Sequence, residues 1–154
     1  MQEALGQPGK ALPHLERALA MRERLYPKQD HPLLANSLNS LGAVLQALGQ
    51  PGKALPHLER ALAMYERLYG KQDRPELAGS LHNLAAVLDA LGQPAKALPH
   101  YERAVAMRER LYPKRDHHDL AISLNNLGVV LCALGQPGKA LPQYERALAM
   151  CERL

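Results

Sequence analysis

The 154-residue chain has no tryptophan and no phenylalanine, and its six tyrosines are its whole aromatic complement. A core without large apolar rings must be filled by aliphatic side chains, and 30 leucines and 23 alanines supply them. Both are strong helix formers, and alanine lets backbones approach closely, so the composition points to packed helices. Two cysteines and no apolar segment behind Met1 argue against a secreted disulfide scaffold, and a cytoplasmic setting is expected. No uninterrupted apolar run approaches the roughly 18 residues of a membrane span, so no membrane partner is expected. Nineteen basic against fifteen acidic residues leave a net charge of +4, too little to imply nucleic acid without a patch to concentrate it. There is no Gly-rich phosphate loop, no Gly-x-Ser-x-Gly and no His-Glu-x-x-His. The chain is therefore read as a non-enzyme without catalytic residues or cofactor.

What the chain does contain is a repeat. Leu-Gly-Gln-Pro recurs at Leu5, Leu48, Leu91 and Leu134, each 43 residues after the last. Units 5–47 and 48–90 agree at 34 of 43 positions; unit 91–133 follows, and a partial unit occupies 134–154. Each unit is one supersecondary module that must stack on its neighbours to bury an apolar face. The expected organisation is thus a single array over 1–154.

Two helices are legible in each unit. One runs from about Pro8 to Tyr26, with Leu12, Leu15, Ala18, Leu19 and Leu25 at helical spacing. Pro8 suits a first helical position, where its missing N–H has no intrahelical partner. The other runs from about Pro32 to Leu48, with Leu34, Leu38, Leu41 and Leu45 spaced four, three and four apart. Asp30, Asp73 and Asp116 stand where N-caps belong, and Asp73 with Glu76 has capping-box spacing. Gly49 offers a left-handed C-cap before Pro51 opens the next helix. Pro13, Pro56, Pro99 and Pro142 lie one turn inside their helices, where a mild kink is expected. The fold class is all-α, seven helices alternating between the two types and both beginning and ending on the Pro8 type.

These residues resemble the tetratricopeptide repeat. Leu38, Leu41, Gly42, Leu45, Gly49, Ala54, Leu58 and Ala61 fall at that family's small and large packing positions. So do Leu81, Leu84, Ala85, Leu88, Gly92, Ala97, Tyr101 and Ala104, and then Leu124, Leu127, Gly128, Leu131, Gly135, Ala140, Tyr144 and Ala147. The long period, with Leu124–Gly128, Arg17–Glu23 and Lys28–Pro32, is similar to the longer repeats of kinesin light chains, here with a loop one residue longer. The resemblance implies an α-solenoid of antiparallel helix pairs. Pro51 and Gly52 depart from the family's preference, and Gln50 is a poor N-cap. Terminal helices without polar caps are expected to fray or to mediate self-association.

Charges and histidines carry less. Lys10, Arg17 and Arg24 lie seven apart on one face, as do their nine copies, but Glu16, Glu23 and six copies run beside them. A solvated face with ion pairs between repeats explains this better than a nucleic-acid ridge, since no aromatics interleave for base stacking. His14, His57 and His100 repeat one position on equivalent helices of successive units; neighbouring helices lie about 8–10 Å apart and these lie no closer, too far to share a metal at ~2 Å bonds. They read as copied surface histidines. No metal site is expected, and Cys132 and Cys151 lack ligand spacing.

The informative positions are those where the copies disagree. On the second type of helix these are Asn36, Gly79 and Ile122; Asn39, His82 and Asn125; Ser40, Asn83 and Asn126; Ala43, Ala86 and Val129; and Gln46, Asp89 and Cys132. Positions 36, 39, 43 and 46 form one helical stripe. The leucines opposite do not change. In proteins resembling this one, that stripe lines a concave groove holding an extended peptide. Asn39, Asn83, Asn125 and Asn126 present amide donors and acceptors suited to a peptide backbone. Asp89 is the stripe's one formal charge and His82 its one titratable imidazole. The family's clamp for chaperone carboxylates is matched only at Asn83, and acidic cargo peptides find no basic counterpart. Ile122 with Val129 suggests a small apolar pocket. The expected function is binding of a protein or peptide partner; the alternative is a self-assembling array or spacer with no peptide ligand.

Overall fold

The computed structural model describes the backbone of residues 2–154 and the side chains of residues 7–154. Seven helices follow one another: α1 (Gln2–Leu25), α2 (Pro32–Ala47), α3 (Pro51–Tyr69), α4 (Pro75–Ala90), α5 (Pro94–Leu111), α6 (His118–Ala133) and α7 (Pro137–Arg153). No strand occurs among the described residues. The helices form two compact units, Met1–Gln72 and Asp73–Leu154. In the first, α2 packs on both α1 and α3; in the second, α4 packs on α5, α5 on α6 and α6 on α7, and α4 also touches α6.

Leucine spacing decides which face is buried. In α2, Leu34, Leu38, Leu41 and Leu45 are buried, and α3 buries Ala54, Leu58, Ala61, Leu62 and Tyr65. Each fully buried leucine contributes about 1.5–3 kcal/mol of transfer free energy. Leu38, at 0% exposure, should cost about 2–5 kcal/mol on truncation to Ala. Gly42 lets α2 and α3 approach. A Cβ there would lie 2.5 Å from Leu58 Cγ.

Turn chemistry follows the sequence closely. Gly49, Gly92 and Gly135 all have φ of 71–72°. Gly49 donates to the Gln46 carbonyl and Gln50 to the Leu45 carbonyl, the paired bonds of a Schellman stop, repeated at Gly92 and Gly135. The longer loop solves its reversal in two ways. Tyr26 and Tyr112 each open a turn with proline second, so the left-handed residue is the third, Lys28 or Lys114, both at φ 57°. Where Gly70 replaces that proline it takes the positive φ itself (φ 58°, ψ −120°), giving the type II′ form.

Three sequence expectations change. Helix α1 begins at Gln2, so Pro8 lies within it and not at its start. Gln2, Glu3, Ala4 and Leu5 favour helix, and α1 runs through Pro8 despite the hydrogen bond it removes and the clash of its ring with the preceding turn. The N-caps are His31, Arg74 and His117, one residue later than Asp30, Asp73 and Asp116. His31 Nδ1 accepts from the Leu33 N–H and His117 Nδ1 from the Asp119 N–H, while Arg74 makes no side-chain cap and no Asp73–Glu76 box forms. The histidine rings are steadied by face-to-face stacking on Tyr26 and Tyr112, with centroids 3.7 Å apart. The aspartates are drawn off by arginines: Arg67 Nε and Nη2 donate to Asp30 at 2.6 and 2.7 Å, and Arg110 and Arg153 do the same to Asp73 and Asp116. Thirdly, His57 and His100 are half-buried; of the three repeated histidines only His14 is an exposed surface residue.

Gln50, as expected, makes no side-chain cap; its carbonyl simply accepts from Lys53 and Ala54. Pro13, Pro56, Pro99 and Pro142 sit within continuous helices. Arg60–Glu23 and Arg146–Glu109 complete a set of ion pairs whose partners all lie 37 residues apart, one repeat against the next. The charged face is thus ion-paired between repeats.

Candidate functional site

The stripe of differing residues is accessible on each helix that carries it. On α2, Ser40 is exposed and Asn36, Asn39, Ala43 and Gln46 are half-exposed. On α4, Gly79, His82, Asn83, Ala86 and Asp89 are half-exposed; on α6, Ile122, Asn125, Val129 and Cys132 are exposed and Asn126 half-exposed. The helical period turns these residues away from the buried leucines.

In the second unit the stripe is the visible edge of a polar network. Asn126 Nδ2 donates to His82 Nε2 at 3.4 Å, so the imidazole proton sits on Nδ1, which donates to Ser123 Oγ at 3.2 Å. Arg108 also donates to the Ser123 hydroxyl, and to the Asp119 carbonyl at 2.9 Å. The Tyr101 ring meets His82 edge-on at a centroid distance of 5.4 Å, and the Asn126 side chain acts on its phenol. Burial, reinforced by the nearby Arg108 guanidinium, lowers the His82 pKa to about 4, with Asp119 opposing. The imidazole is therefore neutral at pH 7. Tyr101 is pushed up to about 12, by burial first and then by the Asp89 carboxylate. This network, charged only at Arg108, holds the amide of Asn126 at the surface.

The first unit is simpler. The Tyr65 hydroxyl donates to Asn36 Oδ1, and Arg22 bonds Ser37 and the Leu33 carbonyl. Arg22 and Arg108 occupy one repeat position, serving Ser37 and Ser123. The same position holds Tyr65 in the second copy, and Ser80, the serine equivalent to those two, is buried without a hydrogen-bond partner. Sequence reasoning passed over Arg108, Ser123, Tyr101 and Tyr65. The signal was present: that position reads Arg, Tyr, Arg, Cys, and the Leu15 position reads Leu, Leu, Tyr, Tyr, on helices treated as mere packing.

At the apolar end of the stripe, Ile122 lines a cavity that Val129 does not. A cavity of about 470 Å³ joins Ile122 and Asn125 of α6 to Tyr144, Leu148 and Cys151 of α7. Ile122 and Val129 are seven residues apart on α6, and the wall beside Ile122 comes from the neighbouring helix. Both cysteines are exposed and unpaired, with Tyr144 Oη 4.0 Å from Cys132 Sγ. No cluster of three metal-ligating side chains occurs among the described residues. No helix among them is long and apolar enough to cross a membrane.

Antiparallel helix pairs repeating every 43 residues, with a constant packed face and a variable accessible one, define a helical-repeat protein. The tetratricopeptide repeat family model matches residues 1–67, 34–110 and 76–153, and the chain belongs to that family. Its repeats are in general protein-interaction modules, their partners are proteins, and the fold is typically non-enzymatic. Among solved structures, the nearly identical TPR-like repeats of a Podosopora anserina protein assigned to the kinesin light chains are 26% identical. The match has a TM-score of 0.81 and covers 96% of this chain and 69% of that one. BtubC (BKLC) from P. vanneervenii is likewise 26% identical, with a TM-score of 0.83 over 96% of this chain and 58% of its own. A Rap protein complexed with competence and sporulation factor is 18% identical, with a TM-score of 0.78 over 97% of this chain and 39% of its own, a likeness of fold alone. No curated protein sequence matches the chain.

Proposed function

We propose that the chain binds an extended peptide segment of a protein partner along the stripe formed by Asn36, Asn39, Ser40, Ala43 and Gln46 on α2 and its equivalents on α4 and α6, with units 5–47, 48–90, 91–133 and 134–154 acting as a single array. The observation that carries this reading is the division of labour within each helix. The leucine face is constant and buried, and the face that differs between copies is accessible and rich in carboxamides. Amide groups pair with a peptide backbone whatever its side chains, so recognition needs few charges. The likeness to kinesin light chain repeats at 26% identity agrees with it.

The test is a peptide array probed with the purified chain and with an Asn39→Ala, His82→Ala, Asn125→Ala triple variant. Loss of the bound set with helicity unchanged supports the stripe; an unchanged bound set overturns it. The second reading, self-assembly, is favoured by exposed apolar residues on α7, Leu141 at 57% and Leu148 at 62%. Dimers or filaments that grow with concentration, with no peptide retained on the array, would establish that reading instead.

A further inference from the structure

Asp89 is a carboxylate in a place that the fold does not require one. It lies in the last turn of α4, at the negative end of the helix dipole, where a negative charge is unfavourable. Its equivalents on α2 and α6 are the uncharged Gln46 and Cys132. Asp30, Asp73 and Asp116 are each claimed by an arginine, and Glu23 and Glu109 likewise. The Asp89 carboxylate has no hydrogen bond or ion pair among the described residues; only its main chain is bonded, the carbonyl accepting from the Gly92 N–H. It is half-buried, and close enough to Tyr101, itself 2% exposed, to act on it electrostatically. Partial burial makes an ion pair at this carboxylate stronger than in open water.

From this placement we infer that the second unit selects a peptide carrying a lysine or arginine, whose cation pairs with Asp89 while the amides of Asn83, Asn125 and Asn126 take the backbone. The inference rests on the peptide-binding reading above and adds to it the sign of the ligand's charge. The other polar groups at this end of the stripe are uncharged: His82 has no proton to spare at pH 7, and Tyr101 keeps its own. Asp89 is the stripe's one formal charge, the nearby Arg108 being buried. An acidic peptide would meet an unpaired carboxylate, and a neutral one would leave it uncompensated.

The experiment is a positional scan of synthetic ten-residue peptides, each position set in turn to Lys, Gln or Glu, bound to the purified 154-residue chain. One position should favour Lys over Gln by roughly five- to tenfold, a preference that shrinks as salt is added. Asp89→Asn should make Lys and Gln peptides equal without lowering the melting temperature, because the carboxylate was unfavourable to α4. Asp89→Lys should turn the preference to Glu at the same position. Peptides that bind with no Lys preference, or an Asp89→Asn protein that keeps the preference, overturn the inference and leave the peptide-binding reading standing. Absence of any peptide binding by the unaltered chain overturns both.

Discussion

The Tyr144 ring lies so close to Gly128 that a Cβ on that glycine would stand 2.8 Å from its Cε1 and Cζ atoms. Helices α6 and α7 are joined through this contact, as α2 and α3 are through Gly42 and Leu58. In each pair a missing side chain on one helix accommodates a large one on the other, which is how a core without phenylalanine still packs tightly.

Gly42→Ala and Gly128→Ala should each lower stability by about 1–3 kcal/mol, overpacking outweighing the ~1 kcal/mol that alanine adds to a helix interior. Gly79→Ala is the control, because nothing lies within 4 Å of its Cβ position. It should raise stability by about 0.5–1 kcal/mol. Urea midpoints of the three variants decide the matter; equal shifts at Gly42 and Gly79 would contradict the close-approach argument.

His31→Ala and His117→Ala should each cost about 0.5–2 kcal/mol, the usual loss for a side chain that caps a helix. The same measurement on Arg74→Ala should show almost no capping loss, since Arg74 makes no cap bond. Hydrogen exchange in the first turns of α2 and α6 would localise the effect. Unchanged protection there would return the capping role to Asp30 and Asp116.

The arginine hydrogen bonds of Asp30, Asp73 and Asp116 hold their carboxyls below the ordinary carboxylate range. A depressed folded pKa means that the stabilisation is present above the unfolded value near 3.8 and is lost as pH falls through the folded one. The Asp30→Asn and Asp116→Asn variants should therefore melt earlier at neutral pH and converge with the parent in strong acid. The difference should also fade in roughly 1 M salt, where the screening length is about 3 Å.

His82 acts in a higher window. Its folded pKa of about 4 lies below the ordinary imidazole value of 6.5, so the unfolded chain binds the proton more readily. Stability should fall as pH drops from about 6.5 to 4, by on the order of 2–3 kcal/mol in total. Protonation at Nε2 would set two N–H groups against each other at Asn126. His82→Gln should flatten the stability profile between those limits. A parent profile already flat there would show that the imidazole is not held neutral.

The repeat period, the helix faces and the glycine stops were legible from residue order alone, because they rest on local physics. Leucine spacing sets which side of a helix is apolar, and a positive φ after a helix needs glycine. The accessibility of the stripe was legible too, since the leucine spacing that buries one face turns the other outward. The N-caps were misread by one residue at Asp30, Asp73 and Asp116. A local rule saw an aspartate before a helix; it could not see an arginine 37 residues away that takes the carboxylate. The link from Arg108 through Ser123 and His82 to Asn126 draws on α5, α6 and α4 together, and Tyr144 and Leu148 reach Ile122 from α7. Such groupings depend on which helix lies beside which. Only burial and close packing in three dimensions bring side chains so distant along the chain within hydrogen-bond reach and shift their protonation.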